Sequence, residues 1–170
     1  RTGIGFDQLL AVEPPADPSA DFRFRIHNAD GSEAQQCGNG ARCFARFVHD
    51  RQLTVKRELT LEMTTGALVH CRLLDEGQVE VDMGEPVTEP GAVPFIADAD
   101  APVHALELPG GERVEVGVVS MGNPHAVMLV DDVVRADVER LGPALQAHPA
   151  FPESVNVGFC EIVEPGFVRL

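Results

Sequence analysis

Three observations predict an α+β fold. Short stretches alternate apolar and polar residues. Turn-forming residues punctuate them. Only two stretches repeat at helical spacing, without the steady strand–helix alternation of a doubly wound sheet. The clearest strand is Phe22-Arg23-Phe24-Arg25-Ile26-His27, whose strict alternation marks a half-buried strand. Further strands are predicted at 8–12, 59–64, 67–73 and 78–82, then at 105–108, 114–119, 125–130 and 155–162. Phe167-Val168-Arg169-Leu170 reads as an unfinished strand. Gly66, the Glu76-Gly77 pair and Gly110-Gly111 mark turns, and 89–94 and 98–102, rich in Pro, Gly and Asp, read as loop.

The first helix is predicted from Ala41, Phe44, Ala45 and Val48, which recur at i, i+3, i+4 and i+7 as the apolar stripe of a helix on a core. Arg42, Arg46, His49 and Asp50 fall on other faces. A second helix is predicted near 138–147, interrupted at Gly142-Pro143. Gly84-Glu85-Pro86 is the best domain boundary, dividing the chain into 1–84 and 85–170. No internal repeat or low-complexity segment is visible.

Composition bounds the function. A chain of 170 residues holds one domain or two small ones, and 44% hydrophobic with 24% charged residues is ordinary for a globular protein. With no Trp and no Tyr, the core must come from Val, Leu, Ala, Ile and nine Phe. A net charge of −14 argues against nucleic acid or an anionic membrane surface as partner, since both require a basic footprint. No apolar run approaches the ~20 residues of a membrane span, and no secretory signal is visible. Four Cys without CxxC spacing give neither a disulfide framework nor a zinc site, so no metal is expected and a cytoplasmic, reducing setting is the default. The chain begins Arg1-Thr2-Gly3-Ile4-Gly5, and both ends read as cut, as in a fragment of a longer protein.

The chemistry concentrates at Asn28-Ala29-Asp30-Gly31 and Cys37-Gly38-Asn39-Gly40-Ala41-Arg42-Cys43. Gly38, Asn39 and Gly40 occupy the first turn of the predicted helix, whose backbone N–H groups lack intrahelical partners and favour anions. That field would favour the reactive thiolate of Cys37 and would hold a substrate carboxylate on amides the glycines leave uncovered. A cysteine is more often a small buried apolar residue, but the crowding of Gly and Asn here reverses that preference. Cys43 lies six residues on, about 240° around the axis at ~100° per residue, and should point away.

A second polar constellation is Ser120-Met121-Gly122-Asn123-Pro124-His125. Pro forces Asn123 into an extended conformation, so Asn123 is either a plain turn residue or an amide presented at a loop tip. His125 is either a satisfied structural residue opening a strand or a group that adjusts a nearby thiol. Asn156, set among apolar strand residues, either caps a loop or faces a polar ligand. Gln8, beside Asp7 and after the Gly3-x-Gly5 turn, carries the same ambiguity.

These residues closely resemble the diaminopimelate epimerase family. The matching stretches are GIGFDQLL (3–10), NADGSEAQQCGNGARC (28–43), GNPHAV (122–127) and FPESVNVGF (151–159), in the family's order and at compatible spacing. The resemblance implies two pseudo-symmetric α+β domains, each a curved sheet around a central helix, with the active site in the cleft between them. It implies a pyridoxal-independent isomerase of lysine and peptidoglycan biosynthesis, acting on diaminopimelate without a cofactor, as a homodimer. One cysteine removes the α-proton and another returns a proton to the opposite face. Cys37 matches the first. Gly38 and Asn39 match residues that bind substrate at the helix start, Gln8, Asn28, Asn123 and Asn156 match side chains that hold the diamino diacid, and His125 matches a histidine that tunes the cysteine pair.

The residues agree with that chemistry. An amino-acid α-proton is very weakly acidic, and no sequence motif supplies an electron sink, so a carbanion must be stabilised by electrostatics in a cleft that excludes water. Inversion needs an acid and a base on opposite faces. The family's second cysteine, in a Gly-rich helix start, is expected after Leu170, and neither Cys71 nor Cys160 has such surroundings. Two further segments are expected outside the chain: an opening stretch before Arg1 with another substrate-binding Asn, and an acidic–arginine pair that grips substrate. These 170 residues alone are therefore expected to lack epimerase activity. The alternatives are a related cofactor-free racemase of the proline or hydroxyproline type, a phenazine-biosynthesis-type enzyme, or a non-catalytic binding module on the same scaffold. The phenazine type places a carboxylate where Cys37 stands, so the thiol counts against it.

Overall fold

The alternation of Phe22–Asn28 puts Phe24 and Ile26 on one face of a strand, where both are fully buried. In a computed structural model that describes residues 5–34 and 36–170, this strand is the second of a five-stranded sheet. The strands are β1 (Gln8–Glu13), β2 (Phe22–Asn28), β3 (Glu58–Met63), β4 (Leu68–Leu73) and β5 (Val79–Asp82), and they lie side by side in that order. They belong to the first of two compact units, Arg1–Gly84 and Glu85–Leu170. The expected turn at Gly3 lies outside the described residues.

β2 and β3 pair in parallel, and the other neighbours pair antiparallel. A parallel pair needs a crossover connection, which α1 (Gly38–Asp50) supplies. The helix buries Ala41, Phe44, Ala45 and Val48 against Phe24, Ile26, Leu59, Leu61 and Val69. The Phe24 and Phe44 rings lie 4.9 Å apart and tilted, a pairing worth about 0.5–1.5 kcal/mol beyond its burial.

Two polar features fix the edges of this unit. Glu62 is the one buried charged residue among the described residues. Its carboxylate accepts the backbone N–H groups of Ala16 at 2.6 Å and Asp17 at 2.9 Å, tying the β1–β2 connection to β3. α1 closes with Gln52 in the left-handed region (φ 57°), its N–H on His49 O, while Leu53 N–H reaches Val48 O. That is the double bond of a Schellman ending, at a position glycine usually fills.

The second unit has its own sheet, in the order β10-β9-β8-β7-β6. The strands are β6 (His104–Glu107), β7 (Arg113–Ser120), β8 (Pro124–Leu129), β9 (Asn156–Glu164) and β10 (Phe167–Arg169). β8 and β9 are the parallel pair here, joined through α2 (Val138–Gln146). The core gathers Val93, Phe95, Leu106, Val116, Ala126, Leu145, Phe151 and Phe159. Each unit is thus a mixed five-stranded sheet with one strand–helix–strand crossover, and the chain is α+β. No helix among the described residues is long and apolar enough to cross a membrane.

The expected break at Gly142-Pro143 does not occur, and α2 runs through it. Pro143 removes one intrahelical bond. The usual clash between a proline ring and the preceding residue involves that residue's Cβ, and Gly142 has none. Leu141 and Leu145, both buried, hold the helix on the sheet from either side of the proline. Within the expected loop 89–94, Pro90–Ala92 form a single 3-10 turn, and another at Asp75–Gly77 forms the Glu76-Gly77 turn.

Two stability effects follow. Replacing Gln52 by Gly relieves a left-handed backbone that costs a side-chain-bearing residue about 1–2 kcal/mol, part of it offset by the entropy glycine loses on folding. Q52G should raise unfolding free energy by about 0.5–1 kcal/mol in urea melts, and a loss would contradict the ending described. Glu62→Ala leaves two half-buried N–H groups without their acceptor and should cost about 1–3 kcal/mol in the same assay.

Candidate active site

Cys37 caps α1. Its backbone is extended (φ −152°, ψ 103°), its carbonyl accepts Ala41 N–H at 2.9 Å, and its Sγ accepts Gly40 N–H at 3.2 Å. These are the two bonds of an N-cap residue, with sulfur where Ser or Asp oxygen commonly sits. The thiol is half-buried and packs against the first unit's core. Small residues make this turn possible. A Cβ on Gly40 would lie 3.1 Å from Phe24 Cζ and 3.2 Å from Cys37 Sγ, and one on Gly38 would lie 3.1 Å from Met83 Sδ. Asn39 Oδ1 accepts Arg42 Nη1–H at 2.7 Å, so its side chain is turned along the helix.

Gln8 and Asn28 stand opposite each other in the β1–β2 ladder. Gln8 Nε2–H donates to Asn28 Oδ1 at 3.2 Å, and Asn28 Nδ2–H donates to Ser32 Oγ at 3.1 Å. Asp30 accepts from the Ser32 hydroxyl at 2.6 Å and from its backbone N–H at 2.9 Å, which holds the carboxyl below the usual carboxylate range. The 28–32 turn is thus a hydrogen-bonded loop at the end of β2, the strand whose ring packs beside Gly40.

In the second unit, the tight turn between β7 and β8 carries Gly122 at φ +93°, a conformation that favours glycine. Pro124 opens β8, the strand position proline tolerates. Asn123 Oδ1 accepts from His125 Nε2 at 2.9 Å, an assignment that puts the ring proton on that nitrogen. Burial pushes the His125 imidazole below its ordinary value, favouring the neutral ring. Asn156 faces His125 in the parallel register and donates from Nδ2 to Pro124 O at 3.0 Å. Asn123, His125 and Asn156 therefore gather at one end of the β8–β9 pair. Of the two roles its sequence left open, the bond to Pro124 O is the loop-capping one, and the Asn156 side chain is exposed.

The other cysteines differ. Cys43 is exposed on the far side of α1, lining a 770 Å³ groove with Arg42, Arg46, Phe47 and Arg51, and Cys37 is not part of that groove. Cys71 is buried in the core, and burial pushes its thiol up to about 11, a neutral packing residue. Cys160 sits within β9. All four are free thiols. Among the described residues no group of three or more His, Cys, Asp or Glu could hold a metal ion. Sequence reasoning missed Met83. It lies 47 positions from Gln36, and nothing in the local pattern ties it to the helix start.

Comparison with known proteins gives this geometry a context. The diaminopimelate epimerase family model matches residues 1–89 and 117–170. The diaminopimelate epimerases of Stutzerimonas stutzeri and Thioalkalivibrio sulfidiphilus are 54% identical, and that of Pseudomonas aeruginosa strain LESB58 is 53% identical, each across all of this chain. The chain spans 61% of the length of these relatives. Among solved structures, a probable proline racemase from Agrobacterium radiobacter K84 matches with a TM-score of 0.67 at 18% identity, covering 95% of this chain and 52% of that one. A hydroxyproline epimerase from Agrobacterium vitis matches at 0.64 with the same identity and coverage. Those two likenesses speak of the fold. The family match and the half-identical relatives speak of descent, and the chain belongs to the diaminopimelate epimerase family.

Proposed function

We propose that the protein to which this chain belongs interconverts LL- and meso-2,6-diaminopimelate without a cofactor, and that Cys37 is its acid/base group on one face of the substrate α-carbon. The observation that carries this is the bond from Gly40 N–H to Cys37 Sγ at 3.2 Å. A helix start favours negative charge beside its first amides. The thiolate takes the α-proton, and the electron pair left on the carbon is stabilised by the adjoining carboxylate. The amides at Gly38 and Asn39, in the first turn of α1, are suited to receive that carboxylate.

Gln8 and Asn28 present paired amide groups at the end of the β1–β2 ladder, suited to the polar ends of a diamino diacid. Asn123, His125 and Asn156 offer a second polar set, and a neutral His125 that donates from Nε2 keeps an acceptor at Nδ1. Inversion needs a proton donor on the opposite face. Cys43 faces away, Cys71 is a buried neutral thiol, and Cys160 has no helix start at it, so we assign none of them that role. This chain then carries half of an acid/base pair, and the complete protein acts as a cytoplasmic homodimer. A proline-type racemase is the weaker reading. Its support is fold likeness at 18% identity, against 54% identity to diaminopimelate epimerases.

The reading is tested in deuterated water with diaminopimelate. The complete protein should exchange the α-hydrogen and invert the centre, and Cys37→Ala should lower both at least a thousandfold with its melting temperature kept. The 170-residue polypeptide alone should give no inversion. Inversion by that polypeptide, or retained activity in C37A, would contradict the assignment.

His125 gives a pH signature. Its imidazole is held below 6.5 in the folded chain, so below 6.5 the unfolded chain binds the additional proton. Its contribution to stability is complete above 6.5 and declines as pH falls through the folded value. His125→Gln removes that slope, so the wild type should lose more unfolding free energy than H125Q between pH 7.5 and 5.5. Equal losses in urea melts at the two pH values would refute a half-buried neutral His125.

A further inference from the structure

We propose that Met83 is a positioning residue for Cys37, its thioether holding the turn that presents the thiol to Gly40 N–H. The inference rests on the reading of Cys37 as an acid/base group. Cys37 has two chain neighbours, and a single distant side chain engages both turns that flank it. Gln36 Nε2–H points at Met83 Sδ from 3.9 Å. On the other side, Met83 Sδ and Cε fill the space where a Cβ on Gly38 would stand, at 3.1 and 3.4 Å. Met83 follows directly on β5, and its own place is fixed by the next turn, where Gly84 N–H donates to Asp82 Oδ1 at 2.9 Å.

The pairing explains why the residue types fit. An unbranched, polarizable thioether packs on bare backbone and accepts a weak N–H bond, as a branched alkyl side chain cannot. Gly38 leaves the room, and any larger residue there would displace the sulfur. The helix start is thereby clamped from β5 as well as from the Phe24 ring beneath Gly40. Without the clamp, the 36–38 turn is free to rotate the thiol off Gly40 N–H, and the sulfur loses its donor. Met83 touches no substrate in this scheme and acts through the geometry of the cap.

Cys43 supplies an internal reference, being an exposed thiol on the same helix. The experiment is limited alkylation of the folded chain with iodoacetamide near neutral pH, read by peptide mass spectrometry as the ratio of Cys37 to Cys43 labelling rates. Met83→Ala should lower this ratio threefold or more, and Met83→Leu, which restores bulk over Gly38, should recover at least half of the loss. General loosening of the fold would speed both cysteines and fail to lower the ratio. If M83A does not fold, Met83→Val, too short to reach Gly38, is read in its place. An unchanged or raised ratio in M83A, or no recovery in M83L, overturns the proposal. The wild-type ratio judges the other reading separately: a Cys37 that labels no faster than Cys43 counts against its acid/base role, whatever Met83 does.

Discussion

Everything at the first unit's site depends on one backbone donor, Gly40 N–H, reaching one sulfur. The first turn of a helix leaves N–H groups that must find partners. Most proteins satisfy them with a hydroxyl or a carboxylate. Here a thiol takes that place, so one contact both closes the helix start and fixes where the sulfur sits. On the proposed reading of Cys37, the capping contact of 3.2 Å is also the one that presents the acid/base group.

That contact constrains the sequence around it. Gly40 must lack a side chain because Phe24 and the thiol itself occupy the space a Cβ would take. Phe24 is held in turn by Phe44 on the helix and by its place in β2. Because β2 and β3 run parallel, α1 must cross from one end of the sheet to the other. The crossover brings its first turn against β2, where the Phe24 ring lies under Gly40. Packing, topology and chemistry thus converge on one strand.

Much of this was legible in the sequence, for physical reasons. Strict alternation identified β2, because a sheet with one buried face requires a period of two. The stripe from Ala41 to Val48 identified α1, and the Gly-Asn-Gly run before it located the start. The α+β class followed from the same patterns. What the sequence did not reveal was non-local or against type. Met83 meets Gly38 through the sheet, with no local signal. Gln52 takes a helix-ending conformation for which glycine is the usual sign. Glu62 is buried and accepts two backbone donors from a distant loop, a pairing with no local signal. Pro143 suggested a broken helix, and the adjoining Gly142 together with two anchoring leucines kept it whole.

The most direct measurement follows the amide of Gly40 in nitrogen–proton correlation spectra of the folded chain as pH is raised. The account predicts that the Gly40 amide proton moves downfield as Cys37 ionises, because an N–H bound to sulfur senses the new charge, and that this movement vanishes in Cys37→Ala while the Cys43 region is unchanged. A Gly40 resonance indifferent to pH, or one that moves equally when Cys37 is absent, would show that the sulfur does not carry charge at the helix start.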